Sequence, residues 1–292
     1  MRTLATASLA ILTLMLTACG GSPVITPPSG PLSGNWQINL LQQDPSQTPL
    51  SASGFIAQAN DAITGSIQVA PFGSKGSCAG VSVLTGTIKG QNVTFSLNGG
   101  GIVLNFTGTA STNSQTMSGD YQAVGGGCST VGITGTWNAV LVPPLNGNFT
   151  GTLSNSQYMS LLTGVSPAAP IAVSGSMTQS SNDGASNATV TGTMNAVGYP
   201  CFTTASLTGT ISGQNVVLSV FGYEGAQIGT LGSAQTPALV SSGPDNAISL
   251  LSQPNGEMTL GKASATTVVG PCPPLGIGPT IGDSTVVVLA FP

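Results

Sequence analysis

Alternation with a period of two residues leaves this chain few ways to fold. Successive side chains of a strand point to opposite faces, so an apolar residue at every second position marks a strand with one buried face. Val93, Phe95 and Leu97 fall on one side of such a run, and Thr94 and Ser96 on the other. Ile102, Leu104 and Phe106 alternate with Val103, Asn105 and Thr107. Trp36, Ile38 and Leu40 repeat the pattern, as do Ile133, Gly135, Trp137, Ala139 and Leu141. Turn-forming clusters separate the runs: Lys89-Gly-Gln-Asn92, Asn98 to Gly101, Asn182-Asp-Gly184 and Ser212-Gly-Gln-Asn215. No window of about eleven residues carries a helical stripe. The expected class is all-β, with strands in meander order.

The pattern occurs twice. Leu84–Leu97 matches Leu207–Val220 at ten of fourteen positions, and Cys78 and Cys201 each lie six residues before their copy. The copies also open alike, Leu32-Ser-Gly-Asn-Trp36 against Leu145-Asn-Gly-Asn-Phe149. Two domains follow, 32–142 and 145–292, joined by the linker Pro143-Pro144. Each should hold seven or eight short strands in a small antiparallel barrel or sandwich. The second copy is longer, and its extra length falls between Thr230 and Met258, where Pro237, Pro244 and Pro254 interrupt any strand pattern. Once Cys19 is set aside, each copy owns two cysteines, so the repeat selects Cys78–Cys128 and Cys201–Cys272 from three possible connectivities. Each bridge would constrain the unfolded chain by about 4 kcal/mol.

Composition excludes more than it selects. Charged residues make up 4% of the chain, against about 25% in an average soluble domain. Beyond Arg2 the cations are Lys75, Lys89 and Lys262, too few for the phosphate contacts of nucleic-acid binding or for a polybasic membrane patch. There is no histidine, which removes histidine-based nucleophilic catalysis and histidine metal sites. The residues three before the lysines are Phe72, Gly86 and Thr259, so no Ser-x-x-Lys pair exists. Eight acids (Asp44, Asp61, Asp120, Asp183, Glu224, Asp245, Glu257 and Asp283) are scattered and read as solvated turns. Asn182 to Asn187 offers too few carboxylates for calcium, and Gly276–Gly282 has the wrong spacing for a nucleotide loop. No catalytic residue, cofactor, metal or nucleic-acid partner is expected.

The N-terminus supplies an address. Arg2, an apolar run from Leu4 to Leu16 and small residues after it have the form of a secretory signal over residues 1–18. The run is shorter than the roughly 20 apolar residues a spanning helix needs. Its ending, Leu16-Thr17-Ala18-Cys19-Gly20, resembles the bacterial lipobox, and the chain is similar to the Gly/Ser/Thr-rich class of bacterial lipoproteins. The resemblance implies a lipid on Cys19, an extracytoplasmic location, and, with Gly20 after the cysteine, the outer membrane. Residues 19–31, with Pro23, Pro27, Pro28 and Pro31, would form an extended tether. The Gly34-x-Trp36 opening with a closing Trp137 resembles lipocalin- and avidin-like barrels, which implies pairing of first and last strands.

The expected role is a lipid-anchored envelope protein that binds or supports, with the membrane and an envelope or glycan component as partners. Two alternatives belong to other classes. Paired carboxylates within about 10 Å in a cleft would favour a glycan hydrolase. An open apolar lumen would favour a small-ligand carrier. A lumen plugged by Trp36, Trp137 and their neighbours would leave surface binding or a structural role.

Overall fold

The computed structural model describes residues 30–43, 50–72, 78–127, 132–154, 171–182, 184–198, 203–221, 227–232, 258–265 and 285–291. The signal segment, Cys19, tether residues 20–29, Cys128, Cys201, Cys272 and the side chain of Cys78 lie outside the described residues, so neither disulfide is seen. Residues 233–257 and the loop 276–282 lie outside them as well.

Strands β1 (Gly34–Gln42), β2 (Leu50–Ala59), β3 (Ala62–Phe72), β4 (Cys78–Lys89), β5 (Asn92–Gly99), β6 (Ile102–Ala110), β7 (Thr116–Gly125) and β8 (Thr134–Val142) form a closed barrel. Each pairs antiparallel with the next, and β8 returns to β1 with Trp137 opposite Leu40 and Leu141 opposite Trp36. The expected meander is present, and the first and last strands pair. The turn signals lie where expected: Lys89 faces Asn92 and Gly99 faces Ile102 across their hairpins. In β8 the alternation slips at the strand's end. Val142 is buried there, and Leu141, expected inward, is half-buried against the core. At this point β8 is leaving the barrel for Pro143-Pro144.

Strands β9 (Gly147–Ser154), β10 (Ile171–Gln179), β11 (Ala188–Asn195), β12 (Thr204–Ser212), β13 (Asn215–Phe221), β14 (Gln227–Gly232), β15 (Met258–Ala265) and β16 (Thr285–Phe291) form a second sheet. Its order is β14-β13-β12-β11-β10-β9-β16-β15. Strand β9 pairs with the last strand, β16, as β1 pairs with β8. The repeated segments are the β4–β5 and β12–β13 hairpins, with Leu84 opposite Leu97 and Leu207 opposite Val220. Among the described residues β14 and β15 share no ladder, so this sheet is curled rather than closed. The open seam coincides with the extra length of the second copy.

The two copies begin with the same hydrogen-bonded clasp. Leu32 N–H donates to Gln58 Oε1 (3.0 Å) while Gln58 N–H donates to Ser33 Oγ (2.9 Å). Leu145 N–H donates to Gln179 Oε1 (3.0 Å) while Gln179 N–H donates to Asn146 Oδ1 (2.7 Å). Both leucines are fully buried.

Aromatic side chains fill the first barrel. Phe95 stacks on Phe106 at 4.5 Å, and the Trp137 ring stands edge-on to both, at 5.3 and 5.6 Å. Tyr121 lies against Phe106 at 5.9 Å. Trp36 and Trp137 are 0% and 1% exposed, as expected from their strand faces. Their indole N–H groups donate to Leu32 O (2.9 Å) and Thr107 O (3.1 Å). A buried indole needs such a partner.

What makes room for these rings is a motif within the strands: an apolar residue, Thr or Ser, Gly, Thr or Ser, an apolar residue. It reads Ile63–Ile67, Leu84–Ile88, Phe106–Ala110, Ile133–Trp137, Phe149–Leu153, Val173–Met177, Val190–Met194 and Leu207–Ile211. Its glycine faces inward opposite a large side chain. Gly86 faces Phe95, Gly135 faces Tyr121 and Gly175 faces Phe149, and Gly119, in the related Ser118-Gly-Asp120, faces Trp137. A Cβ on Gly119 would collide with the Thr107 carbonyl, and one on Gly135 with the Leu41 carbonyl. Small-against-large pairing of this kind lets a narrow barrel close around bulky rings. Gly119→Val should therefore lower stability by about 3 kcal/mol, the upper end of the usual overpacking range. Gly127→Ala, whose Cβ meets nothing within 4 Å, should leave it unchanged. Denaturant midpoints of the two variants check the contrast.

Two polar atoms in this interior, Ser82 Oγ and Tyr121 Oη, have no hydrogen-bond partner among the described residues. Burial pushes the Tyr121 phenol up to about 12. The ionised form is disfavoured in the fold and freely formed in the unfolded chain, whose tyrosine titrates near 10. Stability from this group is thus complete below about pH 10 and is lost as pH rises towards about 12. Tyr121→Phe should keep or raise the melting temperature at pH 7. It should also flatten the alkaline decline seen in wild type, as a pH series of thermal melts would show.

The sheets touch through the β12–β13 turn, which packs on the outer face of β1 and β2. Asn35 clamps Gly213 from both sides: Asn35 Nδ2 donates to Gly213 O (2.8 Å), and Gly213 N–H donates to Asn35 Oδ1 (2.6 Å). Gln214 N–H donates to Gln37 Oε1 (3.1 Å). Ser212 Oγ donates to Ser186 O (2.7 Å), which leaves Ser53 Oγ to donate to Ser212 Oγ (3.0 Å). Asn35, Gln37 and Ser53 point outward from the barrel, yet only 3%, 1% and 5% of their surface is exposed.

Candidate functional site: a polar groove on the first barrel

The same alternation that fills the barrel loads its outside with hydroxyl and amide groups. Outward positions of β6, β7 and β8 carry Asn105, Thr107, Ser118, Asp120, Gln122, Thr134, Thr136 and Asn138. Strand pairing arranges some of them in rows. Thr107 faces Asp120, Asp120 faces Thr136, and Thr136 faces Leu41 of β1. One step along, Asn105 faces Gln122 and Gln122 faces Thr134. Thr134 Oγ1 donates to Gln43 Oε1 (2.8 Å), and Gln43 N–H donates to Thr134 O (2.9 Å), which holds the end of β1 against β8.

These rows line an open groove of about 540 Å³. Asp120 is its carboxylate, with a threonine on either side, and among the described residues no cation lines it. Hydroxyls and amides both donate and accept, while a carboxylate only accepts. Such a surface suits an uncharged, hydroxyl-rich ligand and repels an anion. A second groove, about 280 Å³, runs past Gln58, Asp61, Gln91 and Ser111 and also contains one carboxylate.

The expectation of turn acids holds for Asp61, beside the β2–β3 turn, and fails for Asp120. Asp120 is a mid-strand residue whose outward position follows from the inward Gly119 and Tyr121 on either side. Asp44, Asp183, Glu224, Asp245, Glu257 and Asp283 lie outside the described residues, or their side chains do. General acid–base hydrolysis of a glycoside needs two facing carboxyl groups, and each groove offers one among the described residues. Among those residues no three His, Cys, Asp or Glu come together.

The other candidate residues serve packing. Trp36 and Trp137 belong to the buried core cluster of the first barrel and serve its packing. Lys89 stands exposed at the β4–β5 turn. Sequence reasoning missed the outward polar set of β1 and β2, Asn35, Gln37 and Ser53, although its signal was present. Asn recurs before the inward aromatic in both copies, as Asn35 and Asn148. No protein-family model matches the sequence, and no curated protein matches it either.

Proposed function

We propose that this chain is a lipid-anchored extracytoplasmic protein that acts by non-covalent binding through the outer faces of its β-sheets. The observation that carries the reading is the inverted distribution of its side chains. Aromatic rings pack the interior of the first barrel, and among the described residues its outer groove presents hydroxyl and amide groups to a partner. A barrel that spans a membrane needs the opposite arrangement, with an apolar outer band. In this reading the anchor is Cys19, and two attachment points for acyl chains would make it stable. The lipobox supports this, and Gly20 supports the outer membrane.

The partner that fits the Asp120 groove is a neutral, hydroxyl-rich glycan of the envelope. A catalytic role has less support, because the chain has no histidine and each described groove has one carboxylate. The second sheet is read as a barrel like the first, opened at the β14–β15 seam. Each domain carries its own bridge, Cys78–Cys128 in one and Cys201–Cys272 in the other. A chain with so few ion pairs relies on packing and cross-links, so these bridges support the fold and do not switch an activity.

Two measurements test the proposal. Peptide mass mapping of the envelope protein without reduction should find an acylated N-terminal peptide starting at Cys19. It should also find peptides joined as Cys78–Cys128 and Cys201–Cys272. A mature N-terminus elsewhere, or a peptide joining Cys78 to Cys201, would overturn the anchor or the pairing respectively. In the second, purified protein should be retained by insoluble cell-wall glycan. Asp120→Ala should weaken retention about tenfold, since a hydrogen bond to a charged group contributes about 1.5–3 kcal/mol. Equal retention of wild type and variant would remove the groove from the binding site.

A further inference from the structure

The contact between the two sheets has a second, unused copy. The β12–β13 turn Gly213-Gln214-Asn215 repeats the β4–β5 turn Gly90-Gln91-Asn92, and both glycines are left-handed, at φ +55° and +61°. The surface it docks on is repeated too. The common opening puts Asn148 where Asn35 stands, and the equivalence of Gln179 with Gln58 puts Ser174 where Ser53 stands. In the first domain the docked turn buries these positions. In the second, Asn148, Thr150 and Ser174 are exposed. The unused turn is exposed as well, and a Cβ on Gly90 would meet nothing within 4 Å. Among the described residues each molecule thus exposes a second turn, on its first domain, and a second receptor face, on its second.

We propose that the β4–β5 turn of one copy docks on the outer face of β9 and β10 of a second copy, head to tail. The occupant is argued from the intramolecular contact, in which the same turn sequence sits on the same face. The bidentate clamp of an asparagine amide on a glycine backbone is preserved, with Asn148 on Gly90. The flanks differ: Thr150 replaces Gln37, Ser176 replaces the buried Phe55 that faces Asn35, and Lys89 replaces Ser212, so the contact between molecules is the weaker one. Anchoring many copies on one surface compensates by raising their effective concentration. Turn and receptor are different patches, so the interface is heterologous and adds copies without closing. The proposal rests on the contact between the sheets and is independent of the glycan reading.

The test uses the purified full chain in detergent, followed by sedimentation velocity up to about 1 mM, where weak contacts half-fill. Wild type should form dimers and longer species as concentration rises. Gly90→Asn keeps the turn, because asparagine tolerates the left-handed region and the space around Gly90 is open. In a docked turn its Cβ would collide as one on Gly213 does with Ser53 and Gln37. Asn148→Asp places a carboxylate against the Gly90 carbonyl, and Thr150→Arg, on the same exposed face, blocks the receptor sterically. Each variant alone should melt like wild type and remain monomeric. An equal mixture of Gly90→Asn and Asn148→Asp should give a dimer and nothing longer, since one retains the receptor and the other the turn. A monomeric wild type at the highest concentration, assembly that survives both receptor variants, or no dimer in the mixture would overturn the proposal.

Discussion

An eight-stranded barrel has an interior only wide enough for side chains to fill. Here that space must take Trp36, Trp137, Phe95, Phe106 and Tyr121 together. Rings of this size fit because the residue facing several of them across a ladder is glycine, so one strand's backbone approaches where a side chain would otherwise stand. Closure, burial of both indoles and the polarity of the outside all follow from this one pairing. The Thr and Ser residues flanking each glycine point outward, so the motif that makes the barrel fillable also makes its surface hydroxyl-rich.

That surface changes how the domains can be joined. With 4% charged residues, ion pairs cannot fix the relative position of two domains. The contact relies on neutral groups, and Asn35 and Gln37 are satisfied by the backbone of the docked turn. An asparagine amide has one donor edge and one acceptor edge, and a glycine peptide in the left-handed region presents the complementary pair without a side chain in the way. Burying Asn35 and Gln37 is tolerable because their polar atoms find partners on Gly213, Gln214 and Ala52. Unpaired, they would cost about 1–3 kcal/mol each.

Much of this was legible in the sequence. The inward set of each early strand and the turns at Lys89–Asn92 and Ser212–Asn215 follow from local alternation and repetition, and the pairing of first with last strand from the resemblance of the Gly34-x-Trp36 opening and Trp137 to lipocalin- and avidin-like barrels. The glycine pattern was equally visible in the letters and was missed, because a glycine inside a strand reads as a weak point until the residue opposite it is known. Register is what supplies that residue. Asp120 was misjudged for a related reason. The run Ser118-Gly119-Asp120 has the composition of a turn, and only the buried Met117 and Tyr121 around it make it a strand. The groove joins β1 to β6, β7 and β8, about sixty residues or more further along the chain, so no local motif announces it.

The two copies have diverged along lines the fold permits. A ring of eight strands retains seven ladders when one is lost, and among the described residues the second sheet lacks the β14–β15 ladder at the place where its sequence is longer. The clasp through Gln179 and the β12–β13 hairpin keep the geometry of the first copy. Those elements also form the connection between the halves: the clasp starts the domain, and the hairpin turn docks it. An insertion at β14–β15 therefore changes the second sheet without disturbing its attachment. One at the Ser212–Asn215 turn would separate the domains, because the Asn35 clamp reads the backbone of a single glycine and accepts no side chain there.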